Sequence, residues 1–335
     1  MASMHPTPSG TRDVLPDEMR ELRAITDAMR RVFEQHGYGE VWTPAIEYES
    51  VVGRLDGRNG GYRLFDDHGS VLRLRSDITV PVARVAATRY ATTQPPLRFC
   101  SFAHVYRGVK PGRGQMREFL QAGVELIGAP GPEGTAEVLT ILCEALEAAG
   151  LREYRIGLGD AGLYPALLSS VGADAPAAER ILDALVARDL VRLGVEVHAL
   201  GLDAATTELL LDVPQRRGGV QILDTLPERV ETDRLRAVHG AVPAGVAERL
   251  IFDLGLVRDL DYYTGAVFEI YDPAAGMPLG GGGRYDDLVG RFGRDLPAVG
   301  FAVDMNGLHI ALAGEERGEG SPGRIASGAA GGDVA

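Results

Sequence analysis

The sequence predicts an α+β fold, in which an antiparallel sheet is flanked by helices and carries an inserted, mostly helical domain. Segments with strand character cluster in the first half and again in the last quarter of the chain. Hairpin-type loops, rather than helical crossovers, connect most of these segments, which favours antiparallel pairing. Between the two groups, residues 173–249 are rich in Ala, Leu, Glu and Arg, a composition typical of helices.

The first predicted element is a helix over residues 16–36. Proline and two acids open it, and Gly37 closes it. Apolar residues recur at helical spacing, which places them on one face. These residues are Met19, Leu22, Ile25, Met29, Val32 and Phe33.

Strands are predicted next. Residues 38–48 have strand character interrupted by Pro44. Apolar and polar residues alternate on both sides of Asp67-His68-Gly69, which indicates a hairpin. Two longer strands follow over residues 97–107 and 117–128, joined by a polar loop.

The second half begins with a predicted helix over residues 133–149 and a strand over 154–160. After the helical stretch, strand character returns, and the folded part is expected to end near Leu312, in a short apolar helix before a glycine-rich tail. The later strand segments are 250–257, 265–272, 280–292 and 298–305.

These patterns predict four parts of the chain. Residues 1–170 and 248–313 form the two halves of the sheet-containing core. Residues 171–247 form the inserted, mostly helical domain, and residues 314–335 form a flexible tail.

Composition excludes several classes of function. The chain has 335 residues, 45% of them hydrophobic, which is enough for a sizeable core. No apolar run of membrane-spanning length and no signal-peptide core are found, so we expect a cytoplasmic protein. A net charge of −13 disfavours broad contact with nucleic acid. Two cysteines and scattered histidines argue against a disulfide framework and a metal site.

Two glycine motifs are ambiguous. Gly157 to Gly162 match the dinucleotide-binding pattern, with Glu179 about 20 residues further on. The segment before Glu179 reads as helix instead of the second strand that this motif needs, so a strand end followed by a turn is favoured. Gly280 to Gly283 indicate either a tight turn between strands or a close approach of the backbone to a ligand, and the turn is favoured.

Polar residues inside the apparent strands point to a site. Gln121 and Glu125 lie four residues apart and therefore on one face of their strand, while Asp77 and Thr79 lie two apart at the end of another. Buried charges need partners. With Arg107, Arg258 and Tyr263, these residues form either internal ion pairs or a pocket for a zwitterion such as an amino acid. Spacing alone does not separate the two interpretations.

Several segments in order resemble the catalytic domain of class II histidyl-tRNA synthetases, over about residues 8–313. PSGTRDVLPDE resembles the family's opening segment, and VWTPAIE, after the first helix, resembles the dimer-forming motif 1. The segment YRGVKPGRGQMREFLQAGVELIG resembles motif 2. The segment LVRDLDYYTGAVFE resembles the family's histidine-specific segment. The end of the fold, with motif 3, is resembled by GGGGRYDDLVGRFGRDLPAVGFAVDMNGL.

The resemblance implies a histidine pocket. The implied residues are Asp77, Thr79 and Gln121 for the α-ammonium, Glu125 and Tyr263 for the imidazole, Arg258 for the carboxylate and Tyr285 in the wall, together with Arg107 and Tyr262. Asp77 is one methylene shorter than the glutamate that the family carries at this position. The set is chemically coherent, because acceptors meet N–H groups and a cation meets the carboxylate.

The positions that grip ATP depart from the family. Motif 2 reads Arg107-Gly108-Val109 where the family has Arg-x-Glu, and the next arginine of that loop aligns with Gln115. Asn306 and Gly307 replace the Glu-Arg that ends motif 3. Adenylation depends on fixed cations around the triphosphate, so amino-acid activation is not expected. Lys110 and Arg113 are the only nearby candidates to replace the charge.

A synthetase-like core with these departures, and without the anticodon-binding domain of full synthetases, resembles the family of regulatory subunits of ATP phosphoribosyltransferase. That resemblance implies a non-catalytic subunit, without cofactor or metal, that activates a short catalytic subunit and contributes to histidine feedback. The implied partners are that catalytic subunit, L-histidine and a second copy of the chain, as a homodimer within a hetero-octamer, but not tRNA. The alternative is a divergent enzyme that activates histidine or another carboxylic acid outside translation.

Overall fold

A computed structural model of the chain describes residues 7–52, 61–108, 116–257 and 262–318. Within these residues the helices are α1 (Pro16–Gln35), α2 (Glu49–Val52), α3 (Thr79–Thr88), α4 (Gly131–Ala148), α5 (Leu163–Ser170), α6 (Ala175–Val186), α7 (Leu190–His198), α8 (Ala204–Asp212), α9 (Asp233–Ala241), α10 (Ala244–Ala247) and α11 (Met305–Glu316). The strands are β1 (Gly39–Glu40), β2 (Ile46–Tyr48), β3 (Arg63–Phe65), β4 (Val71–Leu74), β5 (Leu97–Tyr106), β6 (Glu118–Ile127), β7 (Arg155–Asp160), β8 (Arg217–Gly218), β9 (Leu250–Asp253), β10 (Ala266–Tyr271), β11 (Gly280–Arg284) and β12 (Ala298–Asp304).

One large sheet organises the fold. Its nine strands run in the order β1-β5-β6-β12-β11-β10-β7-β9-β8, and all neighbours are antiparallel except β1 with β5 and β7 with β9. A second sheet of three strands, β2-β4-β3, contains the predicted hairpin. The α+β prediction is therefore confirmed, with helices on a predominantly antiparallel sheet.

One face of the large sheet packs against helices. Because side chains alternate along a strand, Val124 of β6 and Phe268 of β10 point to the same side as their apolar strand neighbours, and both are fully buried. Met29 and Phe33 of α1 join them in one core cluster with residues of α4 and α11. Each such buried side chain contributes about 1.5–3 kcal/mol, which fixes the helices on this face.

The opposite face carries a floor of small residues. The register places Gly300 beside Glu125, Gly281 beside Glu269, and Gly157 on the other side of Glu269. We call this face the trough; its small residues are Gly123, Gly157, Gly281, Gly283, Gly300 and Ala302. The turn predicted for Gly280 to Gly283 is wrong, because these glycines form the middle of strand β11. They pair with neighbours on both sides; larger side chains at Gly281 and Gly283 would close the trough, whereas Gly282 faces the helix-covered side beside Phe268.

The dinucleotide alternative does not fit the environment of Gly157 to Gly162. Strand β7 lies between antiparallel β10 and parallel β9, and Glu179 is exposed on helix α6 instead of ending a second strand. The carboxylate of Asp160 accepts from the Gly162 backbone N–H at 2.8 Å and is held by Arg234. A side chain at Gly162 would collide with that guanidinium, so packing accounts for this glycine.

The segment predicted as an inserted domain is mostly helical, and its helices pack in two ways. Helices α6, α7 and α8 pack on one another, and we call residues 175–212 the helical insert. Helices α9 and α10 pack instead against α4 of the core. The predicted boundaries at 171 and 247 stay a prediction.

The last helix continues beyond the predicted end of the folded part near Leu312. Helix α11 reaches Glu316, and its final turn is fixed by Glu315, whose carboxylate accepts from the backbone N–H groups of Arg152 and Glu153. This long-range contact has no local signal in the sequence. Among the helices of the described residues, none is both long and apolar enough to cross a membrane.

Candidate functional site

A cavity of about 300 Å³ lies at the trough, where the ends of β5 and β6 meet β10, β11 and β12. Most of the predicted histidine-binding residues line it, although they come from five separate segments of the chain. These residues are Asp77, Thr79, Arg107, Gln121, Tyr262, Tyr263 and Tyr285. Glu125 lies directly behind this wall, and Arg258 falls outside the described residues, as do Val109, Lys110, Arg113 and Gln115.

One end of the cavity offers hydrogen-bond acceptors. Asp77 precedes helix α3, and its Oδ1 accepts from the Val80 backbone N–H at 3.1 Å, which fixes the carboxylate at the helix start. Gln121 is 5% exposed, and its Oε1 has no hydrogen-bond partner among the described residues. A buried acceptor without a donor is costly, so this end of the cavity is suited to a ligand that carries N–H groups.

Glu125 holds two lining residues in place. Its Oε1 accepts from the Thr79 hydroxyl at 2.6 Å, and its Oε2 accepts from the Tyr285 hydroxyl. Gly300 on the neighbouring strand makes room for this carboxyl, because a Cβ there would lie 1.9 Å from Oε2. Burial raises the pKa of Glu125 to about 8, and the two hydrogen bonds offset only part of that shift. Glu125 is therefore mostly a neutral carboxylic acid at pH 7.

Three tyrosines form the apolar side of the cavity. The ring centroid of Tyr262 lies 4.9 Å from that of Tyr263 and 5.6 Å from that of Tyr285. Burial raises the pKa values of Tyr262 and Tyr285 well above the usual range, so both stay neutral. Gly283 gives Tyr263 its position, since a Cβ there would lie 2.8 Å from the ring. The cluster can stack on a planar, partly polar ligand.

Sequence reasoning missed several lining residues. Glu269, Asp304 and Phe119 line the cavity; they lie within the quoted motif segments, but nothing in those segments singled them out. Asp304 pairs with Gln121 across β12 and β6, and Glu269 faces Gly281 across β10 and β11. Their side of the sheet follows from strand register, so knowledge of the strand order would have been needed to find them.

The charges of the described residues around the cavity do not favour a triphosphate. Among the described lining residues, Arg107 is the cation, whereas Asp77, Glu269 and Asp304 are acids. Arg107 is engaged locally, because its Nε donates to the Ser76 carbonyl at 3.2 Å and its Cζ lies 5.0 Å from the Phe119 ring centroid. A polyanion at this wall would meet more carboxylate than guanidinium.

The residues at the motif 3 positions form the first turn of helix α11. Asp304 accepts from the backbone N–H groups of Asn306 at 2.9 Å and Gly307 at 3.2 Å, and thereby caps the helix. Burial raises the pKa of Asp304. Neither Asn306 nor Gly307 supplies a charged side chain. Among the described residues, no group of three or more His, Cys, Asp or Glu could hold a metal ion.

Comparison with known proteins fits this geometry. The family model described as histidyl-tRNA synthetase matches residues 10–308. The ATP phosphoribosyltransferase regulatory subunit of Symbiobacterium thermophilum is 42% identical over 91% of this chain and 79% of its own. The chain belongs to the histidyl-tRNA synthetase-like family of ATP phosphoribosyltransferase regulatory subunits.

Other members of this family agree. The regulatory subunit from Desulforamulus reducens is 39% identical over 93% of this chain and 80% of its own. A solved structure from Bacillus halodurans C, described as an ATP phosphoribosyltransferase regulatory subunit/histidyl-tRNA synthetase, superposes with a TM-score of 0.85 at 33% identity. The match covers 93% of this chain and 84% of that one. The resemblance seen in the sequence is confirmed for the family and for the fold.

The buried carboxyl of Glu125 predicts a pH dependence of folding. An unfolded glutamate has a pKa near 4.3, so the raised pKa in the fold means that the native state binds more protons between these values. Stability therefore falls as pH rises from about 5 to 8, by at most about 1.4 kcal/mol per pH unit. Glu125→Gln should flatten this slope, which urea unfolding at several pH values measures.

The matched control is Glu248→Gln, since Glu248 is exposed on the surface. This variant should keep the pH slope of the unmodified chain. If the slope were the same in Glu125→Gln as in the unmodified chain, the protonated state of Glu125 would be disproved.

Proposed function

We propose that the chain is a non-catalytic regulatory subunit of ATP phosphoribosyltransferase, which activates a short catalytic subunit and contributes to histidine feedback in the first step of histidine biosynthesis. The observation that carries the proposal is a cavity that combines acceptors for N–H groups with a cluster of tyrosine rings. Gln121 Oε1, buried and without a partner among the described residues, supports a ligand with donor groups there. Histidine carries such groups at both its ammonium and its ring.

The same cavity argues against amino-acid activation. Activation needs cations fixed around the phosphates, and loss of one such contact typically costs about 10²–10³ in rate. Of the described lining residues only Arg107 is positively charged, and Asn306 and Gly307 replace the final motif 3 pair. The names of the curated relatives support the same role, because each is called a regulatory subunit.

Calorimetry with L-histidine and, separately, with ATP and magnesium tests the ligand part of the proposal. We expect histidine to bind and ATP to give no heat. Binding of ATP would instead favour the divergent enzyme, and a pyrophosphate-exchange assay would then decide. Absence of histidine binding would contradict the histidine-sensing role.

A kinetic assay tests the activating role. A short catalytic subunit should turn over faster when the purified chain is added, and L-histidine should reduce the rate of the mixture more than that of the catalytic subunit alone. An unchanged rate on mixing would contradict the proposed partnership.

The three-stranded sheet supports self-association. Its register puts Ile46, Tyr48, Leu64 and Leu72 on one face. This apolar face points away from the core and is largely exposed, which is unusual for a sheet. The inner face carries buried charges, among them Glu47, which is held by Arg84 at 2.6 Å. Exposed apolar side chains over buried charges are typical of a protein interface.

Two large aromatic residues lie next to this face in the chain: Trp42 precedes β2, and Phe65 follows Leu64 on β3 with its side chain on the opposite side of the sheet. Trp42 is 91% exposed and Phe65 is 74% exposed. Aromatic residues so exposed are characteristic of interface anchors, whose removal weakens binding by about 2 kcal/mol or more. The face covers part of the segment that resembles motif 1, and we infer that a second copy of the chain covers it.

Charging this face should separate the copies. Tyr48→Arg is expected to raise the dimer dissociation constant at least about 30-fold, because a buried aromatic anchor becomes an unpaired charge. Sedimentation velocity across a concentration series measures the change. Val191→Arg is the control, since Val191 is also exposed but lies on helix α7. Equal dissociation constants for Tyr48→Arg and the unmodified chain would exclude this face as the dimer interface.

A further inference from the structure

Glu269 connects the cavity with the rest of the trough. It lies on β10 with Gly281 on one side and Gly157 on the other, so that no side chain flanks it from either neighbour. Its side chain is 14% exposed and forms part of the cavity wall. A ligand in the cavity and groups further along the trough can therefore reach the same carboxylate.

An arginine from the helical insert binds this carboxylate. The Arg188 Nη2 donates to Glu269 Oε2 at 2.9 Å, and the Tyr271 hydroxyl donates to the same oxygen at 2.7 Å. Tyr271 is placed by Gly157, whose absent side chain leaves room for its ring. Burial, with the nearby Glu269, raises the pKa of Tyr271 to about 12, so its hydroxyl keeps its proton. The insert thus reaches the cavity wall through one guanidinium.

The backbone of Arg188 joins two helices of the insert. Its φ is +54°, and it is the one non-glycine residue of the described chain with a positive φ. Its N–H donates to the Leu185 carbonyl near the end of α6, and the Asp189 N–H donates to the Ala184 carbonyl. In this type of helix C-terminal cap, the position that Arg188 occupies is usually glycine. Asp189 then caps α7 through the Arg192 N–H at 2.9 Å. A displacement of Arg188 therefore acts on both helices.

We propose that the Arg188–Glu269 ion pair couples occupancy of the cavity to the position of the helical insert. The inference rests on the proposed function, because it takes the ligand to be histidine, with an ammonium and a ring N–H as donors. The ligand's ammonium or ring N–H groups compete with Arg188 for Glu269. When they displace the guanidinium, the ion pair that fixes α6 and α7 to the cavity wall is lost. Coupling follows because the ligand has different affinities for the state with the Arg188–Glu269 ion pair and the state without it.

Hydrogen exchange of the amides in residues 175–198 tests the coupling in the full chain. L-histidine should speed exchange of this segment in the unmodified chain about 1.5- to fivefold, the range expected when a partly exposed ion pair is lost. In Arg188→Gln the exchange should be fast without ligand and should no longer respond to histidine, while calorimetry still shows binding. An equal response in Arg188→Gln and the unmodified chain would overturn the coupling.

Two further variants separate the ion pair from other effects. Arg180→Gln breaks the Arg180–Glu196 pair between α6 and α7, at 2.7 Å, which does not touch the cavity, so it should keep the response to histidine. Arg188→Gly removes the guanidinium but suits the positive φ, and it should lose the response while α6 and α7 stay formed. If Arg188→Gly kept the response, the proposal would be wrong.

Failure of the inference is distinguishable from failure of the proposed function. Histidine binding to the unmodified chain, without any change in the exchange of residues 175–198, would overturn the coupling alone. A lack of histidine binding by calorimetry would contradict the histidine-sensing role and the coupling with it.

Discussion

Glu125→Ala is expected to abolish measurable binding of L-histidine, with a loss in affinity of at least about 30-fold. Glu125 does not itself line the cavity, but it accepts hydrogen bonds from Thr79 and Tyr285, which do. Alanine would leave both hydroxyls without this acceptor, at a cost of about 1–3 kcal/mol each. Both side chains would then leave the positions that shape the cavity.

The control for this prediction is Glu125→Gln. Burial keeps the Glu125 carboxyl mostly neutral at pH 7, and a glutamine of nearly the same shape keeps one acceptor oxygen, while the hydroxyl opposite its amide nitrogen can rotate to accept. We expect Glu125→Gln to bind histidine within about threefold of the unmodified chain. Calorimetry measures both variants, and circular dichroism confirms that Glu125→Ala is folded. Unchanged histidine affinity in a folded Glu125→Ala would show that the pocket is assigned wrongly.

Gly282→Ala is expected to destabilise the fold by at least about 3 kcal/mol, at the upper end of the cost of overpacking. A Cβ at this position would lie 2.0 Å from the Gly300 carbonyl oxygen and 2.8 Å from the Phe268 ring. The first of these atoms belongs to the backbone of a central strand, which cannot move without breaking sheet pairing. Urea unfolding, or loss of soluble protein, measures the effect.

Gly194→Ala is the matched control for this substitution. Gly194 lies inside helix α7, and a Cβ there would meet nothing within 4 Å. Alanine is the better helix former, so this variant should gain about 0.5–1 kcal/mol. A Gly282→Ala variant whose free energy of unfolding lies within about 1 kcal/mol of the unmodified value would contradict the packing of strand β11.

Local sequence signals were sufficient for most elements. The helix predicted over 16–36 is observed over Pro16–Gln35, and the strands predicted over 97–107 and 117–128 are observed as Leu97–Tyr106 and Glu118–Ile127. Each of these segments has a periodic apolar pattern, so its own burial determines its conformation. The sequence predicts a strand segment over 280–292 but favours a turn for its glycines, because a strand without side chains has no such pattern; only its neighbours β10 and β12 define β11.

The site shows the same division. The sequence motifs were enough to recognise the family, and they singled out Asp77, Thr79, Gln121 and Tyr285, which the fold brings to one cavity. The position of Glu125 behind the wall, as a mostly neutral acid, follows from packing, because burial and strand register set its partners. The tertiary structure also decided that Arg188 reaches Glu269, a contact between residues 81 apart in the chain. Contacts of this kind arise from strand order and packing, which no local pattern encodes.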